Sequence, residues 1–397
     1  MNVELLAPAG SMEALKTALY FGADAVYCGG PLLQLRAGSA AFTFEDLQQA
    51  AELVHARGKK LYVTVNSFAE NGEIDQLGDY GKRLLEVGAD AAIVSDLGAI
   101  AELRERCPEL PIHVSTQANC LNYKTVNVYH AMGASRVVLG REMPLSAIEE
   151  MKGRIPPEME IEVFIHGAMC MAYSGRCLLS SFLANRSGNR GECAQPCRWS
   201  YFLIEGKRQN MVIPVVEEGE STAIFSSADL KCVSFLDRLE QAGVRSFKIE
   251  GRMKSPYYVA TAVNAYRHAM DGTATLEQCD AELDCASHRP YSSGFYFGEM
   301  KRDPNNDGLY HRTCDFIGVV LEDLGGGRYV VEQRNRFSVG DTLEILSPAS
   351  MGLSFPVERI VGEDGLERDT AHLVQEKVTV ECPHRLAPGD LLRRRLP

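Results

Sequence analysis

Short unbroken apolar runs, each following an amphipathic stretch and a glycine, recur through the first 252 residues. FGADAVYCGG around Gly22, ARGKKLYVTVN around Gly58, VGADAAIVSD around Gly88, MGASRVVLGR around Gly133 and AGVRSFKIEG around Gly243 share one layout of helix end, glycine and strand. A glycine at that place adopts the left-handed conformation that closes a helix at least steric cost. Continuous Val/Ile/Leu runs are what parallel strands buried on both faces require. With VELLAPAG, IHVSTQAN and IEVFIHG, the pattern predicts eight strands starting near residues 3, 25, 60, 91, 112, 136, 160 and 246. Thr43 with Asp46 predicts a capping box opening a helix to about Arg57, Ser11 a cap for a helix ending before Gly22, and Pro144 a first turn. Strand–helix alternation of this kind predicts the α/β class and a (β/α)8 TIM-like barrel over residues 1–270. A doubly wound sheet is the alternative, but no G-x-G-x-x-G follows the first strand.

The connection between the seventh and eighth strands, residues 166–245, is far longer than an ordinary βα loop. In a barrel it leaves from the C-terminal rim, where active sites are built. Beyond residue 270 the pattern changes. Residues 271–313 read as an irregular connector, and 314–397 as a small C-terminal β-barrel of short alternating strands around the Gly325–Gly327 turn. Such a module docks partners or nucleic acid, or is a plain structural accessory.

Composition adds little: 45% hydrophobic and 24% charged residues describe an ordinary soluble protein. No apolar run is long enough for a transmembrane helix, and the start enters a strand without a signal-type segment, so we expect a cytoplasmic protein with no membrane partner. A net charge of −12 argues against broad adhesion to nucleic acid. A local basic density nevertheless surrounds the long insertion, with Arg186, Arg190, Arg198, Lys231, Arg245, Lys248, Arg252 and Lys254.

Polar residues close the predicted strands: Asn66, Asp96, Ser115, Thr116, Gln117, Asn119, Arg141, Glu142, His166, Glu250 and Arg252. A polar ring at the ends of apolar strands is costly unless its members are paired or bind something. Arg141 and Arg252 with the amides of Gln117 and Asn119 suit a small polyanion such as a dicarboxylate. Glu142, His166 and Glu250 are the catalytic candidates among them. Neither G-x-S-x-G nor H-E-x-x-H occurs, and there is no P-loop. Cys170, Cys177, Cys193 and Cys197 follow the spacing C-x6-C-x15-C-x3-C, with Cys232 further on, all inside the insertion. Thiols gathered this tightly in a reducing compartment point to a metal centre, zinc or iron–sulfur, rather than to disulfides.

EVFIHGAMCMAYSGRCLLS at 162–180 resembles the signature of the U32 family, historically called collagenase-like peptidases. NRSGNRGECAQPCR, LLAPAG and FKIEGRMKSPYYVATAVNAYR are similar to other family segments, and FIGVV…GDLLRR resembles its small C-terminal β-domain. The resemblance implies a [4Fe–4S] cluster, whose family spacing C-x6-C-x15/16-C-x38-C falls on Cys170, Cys177, Cys193 and Cys232, with Cys197 as the alternative fourth ligand. It also implies oxygen-independent hydroxylation, here closest to the branch that makes 5-hydroxyuridine at the tRNA wobble position with prephenate as co-substrate. In that reading tRNA and a sister U32-family subunit are the partners, and Arg186, Arg190, Arg198 and Lys254 meet the tRNA backbone. The family's older name implies a peptidase instead, and pairing between members implies a noncatalytic subunit as a third reading.

Overall fold

Each predicted apolar run forms a strand, and the eight close on themselves. They are β1 (Glu4–Pro8), β2 (Ala25–Gly29), β3 (Lys60–Val65), β4 (Ala91–Val94), β5 (Ile112–Val114), β6 (Arg136–Val138), β7 (Glu160–Ala168) and β8 (Ser246–Ile249). All neighbours pair in parallel, and β8 pairs with both β7 and β1, which shuts the barrel. The computed structural model describes residues 1–35, 41–170, 172–199, 228–298 and 310–396, with short strand segments between 202 and 221.

Helices fill the connections: α1 (Met12–Tyr20), α2 (Phe44–His55), α3 (Leu77–Glu86), α4 (Leu97–Arg106), α5 (Tyr123–Ala131), α6 (Leu145–Met151) and α7 (Leu236–Gln241). Thr43 and Asp46 form the expected capping box on α2, and the Ser11 hydroxyl accepts from Ala14 N at 3.2 Å. Pro144 is the N-cap of α6, one position before its first turn. The five glycines of the repeated pattern all have positive φ, from 65° at Gly58 to 100° at Gly22. A β-carbon in that conformation meets the backbone, so the sequence repeats glycine there.

Residues of even number along β7 and β8 face inward. Glu162 is fully buried and bonds Lys248 Nζ at 2.7 Å, while Arg136 reaches Glu4, Glu160 and Glu162 at 2.5–3.1 Å. A charged column therefore runs through the interior, beside an apolar cluster of Leu6, Ala25, Tyr27, Tyr62, Ala91 and Ile93. Buried charges persist only when paired in this manner. The long insertion leaves from β7 and returns through a short strand, Asp229–Lys231, that pairs antiparallel with the β7 extension at Ala168, Gly167 and His166. Tyr291–Ser292 adds to that strand in parallel.

The chain divides into two compact units, the barrel unit (1–16, 23–254 and 288–310) and a second unit (17–22, 255–287 and 311–397). The boundaries read from sequence at 270 and 313 differ from this division. The stretch read as irregular holds helix α9 (Leu276–Leu283), which with α8 (Pro256–Asp271) groups with the C-terminal strands. The cause is specific. Arg393, 3% exposed, donates both terminal nitrogens to Glu282 at 2.5 and 2.9 Å, and Tyr257 stacks on Phe316 at 5.0 Å. The C-terminal strands are β9 (Cys314–Gly325), β10 (Arg328–Gln333), β11 (Thr342–Leu346), β12 (Ser354–Pro356), β13 (Ile360–Gly362), β14 (Lys377–Glu381) and β15 (Leu391–Arg395). They form an antiparallel half-barrel in the order β12-β11-β15-β9-β10-β14-β13 around Ile317, Val331, Phe337, Leu343 and Phe355. Among the described residues no helix is long and apolar enough to cross a membrane.

Candidate active site at the barrel mouth

Where the strands end, a cavity with about 60 Å³ open to water is lined by Tyr27, Thr64, Asn66, Gln117, Arg141, Phe164, Lys248, Glu250 and Arg252, with Cys170 and Ser174 from the insertion. That is space for on the order of four to six waters, or the polar part of one small molecule. Arg141 is the best-placed cation. Its guanidinium lies 3.8 Å from the Phe164 ring centroid, donates to Ala168 O at 2.7 Å and pairs with Glu250 at 3.3 Å. Its Nε is buried with no acceptor among the described residues, a donor left open in a site that favours anions. Lys248 Nζ sits 4.4 Å from the Tyr27 ring centroid. Burial pushes the Lys248 ammonium pKa down against the pull of Glu162. Burial also raises the Glu162 carboxyl, but Lys248 and Arg136 outweigh it and the net shift is downward.

The other sequence candidates divide. Arg252 lines the cavity at 8% exposure, but its guanidinium holds Thr64 Oγ1 at 2.8 Å and the Leu35 carbonyl, so it also fastens the loop after β2. Gln117 lines the cavity. Asn119, left-handed at φ 56°, and Glu142 do not; the buried Oδ1 of one and Oε2 of the other lack partners among the described residues, and burial raises the Glu142 carboxyl. His166 is not a lining residue either. It is 2% exposed, its ring packs against Tyr291, which stacks on His288 at 4.0 Å, and burial pushes its pKa down to about 3. That is a neutral packed imidazole, not a base poised near neutral pH. Asp96 caps α4 through Ala99 N at 3.0 Å, and Asn66 ties Leu35 N to Ser115.

All twelve cysteines are unbridged. Cys170 is exposed and lines the cavity, Cys177, Cys193 and Cys197 are half-buried, and Cys232 is fully buried, which raises its thiol well above the ordinary range. The segment bearing the first three is held to the rim at Gly175, where φ is +72° and a β-carbon would stand 2.6 Å from the Gln117 carbonyl oxygen. Four thiols are a donor set that an iron–sulfur cluster takes. Among the described residues, however, no three His, Cys, Asp or Glu side chains converge as metal ligands. The described arrangement does not itself assemble a cluster site.

The described basic residues differ in their surroundings. Arg190 is clamped to Glu73 at 3.0 Å and Glu70 at 3.4 Å and donates to Phe68 O, so it anchors the insertion to the loop after β3. Hydrogen bonding to Arg190 holds the Glu73 carboxyl below its usual range. Arg186 is exposed, Lys254 lies 4.8 Å from the Tyr310 ring centroid, and the Arg198 side chain lies outside the described residues. What sequence reasoning missed is the cavity wall formed by Tyr27, Thr64, Phe164 and Lys248, the last read only as part of a basic density. The insertion also presents exposed rings at Tyr173 (52%), Phe182 (88%) and Trp199 (44%).

The family model described as Peptidase family U32 matches residues 10–306, and that of the Peptidase family U32 C-terminal domain matches 312–393. The chain is 38% identical to "tRNA hydroxylation protein P" of Escherichia coli, covering 91% of this chain and 90% of that one. It is 38% identical to "tRNA hydroxylation protein P1" of Bacillus subtilis over 98% and 94% of the two chains. It is also 32% identical to a protein named "Collagenase" from Porphyromonas gingivalis, over 99% of each.

Proposed function

The chain belongs to peptidase family U32, and from that premise we propose that it is a tRNA-modifying enzyme that hydroxylates uridine at the wobble position without molecular oxygen. The observation that carries the reading is the likeness to two tRNA hydroxylation proteins over at least nine-tenths of every chain compared. In this reading the barrel mouth binds prephenate. Its carboxylates meet the open Nε of Arg141 and the ammonium of Lys248, two cations backed by the rings of Phe164 and Tyr27. Glu250 keeps Arg141 aimed across the mouth, and Arg252 holds the loop after β2 closed on Thr64. The exposed rings of Tyr173, Phe182 and Trp199 offer stacking platforms for unpaired bases, with Arg186 and Lys254 as phosphate contacts.

The same proposal includes a [4Fe–4S] cluster on Cys170, Cys177, Cys193 and Cys232, or Cys197 in place of the last, which supplies electron transfer when bound. The unbridged thiols support it, with Cys170 at the cavity. A sister U32-family subunit is a further partner in this reading. The "Collagenase" relative is the observation favouring a peptidase. Against it, none of the described cavity-lining residues is a histidine, so a Cys170 or Ser174 nucleophile has no imidazole base there.

The test is nucleoside mass spectrometry of unmodified tRNA incubated with protein purified without oxygen, with prephenate and with an added electron acceptor to take the two electrons released when water oxygen enters the ring. Uridine gaining one oxygen atom, and not doing so with Arg141→Ala, is the expected result. Cleavage of a peptide substrate with tRNA left unchanged would replace this reading with the peptidase.

A further inference from the structure

The second unit contains a cavity that nothing in the barrel chemistry uses. It holds about 370 Å³ open to water, against about 60 Å³ at the barrel mouth. Its walls are one face of α8, Phe21, Gln278 at the start of α9, and the turn Pro348–Met351. All of them belong to this one unit.

The polar groups on this face of α8 are unmatched. Asn264 is 1% exposed, and neither its Nδ2 nor its Oδ1 has a partner among the described residues. One turn along, on the same face, His268 engages Thr273 Oγ1 through Nδ1 at 2.7 Å, which leaves a buried Nε2 with no partner among the described residues. Arg267 and Asp271, also in the wall, are locked to each other at 2.9 Å, so the charges there cancel. A buried amide open at both ends is rare in folded proteins, because each unmet group keeps its full desolvation cost. A ligand presenting a donor next to an acceptor offsets that cost. A cavity of this volume lies in the range of small-molecule sites, about 300–1,000 Å³, and is far larger than a bridging water needs.

We propose that this cavity binds one nucleobase. Each nucleobase has an edge that sets a hydrogen-bond donor beside an acceptor, and an asparagine amide matches such an edge with two parallel bonds, as it does with adenine. The His268 Nε2 supplies a third polar contact, and Phe21 and Met351 give apolar walls. Cancelled charge at Arg267–Asp271 favours the neutral base over a bare phosphate. The base arrives as a free nucleoside or as an unpaired base splayed out of an RNA strand. The inference does not depend on hydroxylation, since it concerns binding in the second unit.

The experiment uses the full chain and titrates it with adenosine, guanosine, cytidine and uridine, and separately with a stem–loop RNA carrying an unpaired loop. Binding is followed by calorimetry and by NMR line broadening. Asn264→Leu is expected to weaken binding of the preferred probe at least tenfold. It should hold or raise the melting temperature, because it removes unmet polar groups without opening a void. Binding of RNA with weak or no binding of nucleosides assigns the site to a strand, and binding of a nucleoside alone assigns it to a free ligand. Binding of neither kind of probe overturns the proposal, as does equal binding by Asn264→Leu. A large fall in melting temperature for Asn264→Leu overturns it as well, because it means that the amide already has partners inside the protein. Uridine hydroxylation of tRNA is scored separately, so failure of either reading leaves the other standing.

Discussion

Lys248→Met tests whether the charged column inside the barrel is held by mutual pairing. Lys248 and Glu162 are 4% and 0% exposed with their charged atoms 2.7 Å apart. Removing one member of such a buried pair costs about 3–5 kcal/mol, mostly because the survivor is left charged and unsolvated. Here Arg136 remains 3.1 Å from Glu162 and satisfies part of that charge, which puts the loss near the lower end, about 3 kcal/mol. For a unit of this size each kcal/mol moves the melting temperature by roughly 2–4 °C, so a fall of roughly 6–12 °C is expected by calorimetry at neutral pH. Glu162→Gln leaves two cations facing each other and should cost more, about 4–5 kcal/mol. The double substitution removes both charges and should cost at least about 2 kcal/mol less than the sum of the two singles. Strict additivity would falsify the pairing argument, since two independent sites add and coupled ones do not. Because Lys248 also lines the cavity, the double variant should be more stable than the sum of the two singles allows and still fail in the uridine assay.

Acid should destabilise the barrel unit through His166: its folded pKa of about 3 lies below the ordinary 6.5, so the unfolded chain binds the proton first. Stability is full above pH 6.5 and falls as pH drops toward 3, and His166→Gln should flatten that part of a urea-unfolding series. Gly175→Ala, at φ +72° and 2.6 Å from the Gln117 carbonyl oxygen, should cost about 1–2 kcal/mol and loosen the cysteine segment. Faster thiol labelling of Cys177 and Cys193 is the readout, and unchanged rates would mean that the segment is held elsewhere. Protein purified without oxygen should carry about four irons and four sulfides per chain, lost in Cys170→Ala and in Cys232→Ala. Loss in Cys170→Ala alone moves the fourth ligand to Cys197, and absence of iron removes the cluster from the proposal.

The barrel was legible because its strands are buried on both faces, so each appears as an unbroken apolar run with a left-handed glycine before it. The rim was legible for a related reason: Gln117, Arg141, Glu250 and Arg252 interrupt those runs at their ends, and all four line the cavity. The same logic misled at Asp96, where the polar residue serves the backbone of the next helix as its cap. Helix α9 escapes the apolar pattern although Thr275 and Gln278 form a capping box as plain as the one at Thr43. Its Cys, Asp and Glu content blurs the apolar stripe, because Glu282 turns inward to meet Arg393 from a strand more than a hundred residues away.

Lys248 was read only as part of a basic density, for a reason that local patterning can repair. It shares strand parity with Ser246, and on β7 Glu160, Glu162 and Phe164 share theirs, so period two alone puts these charges on one inward face. An acid and a base facing inward on neighbouring strands are legible as a pair from strand parity and order alone. Convergence of the thiols cannot be read that way. Cys170, Cys177 and Cys193 lie on irregular backbone whose path is set by contacts such as Gly175 on Gln117 and Arg190 on Glu73. Spacing gives the donor chemistry of such a segment, but only its tertiary anchors decide whether Cys232, buried beside β7, comes within reach of the other three.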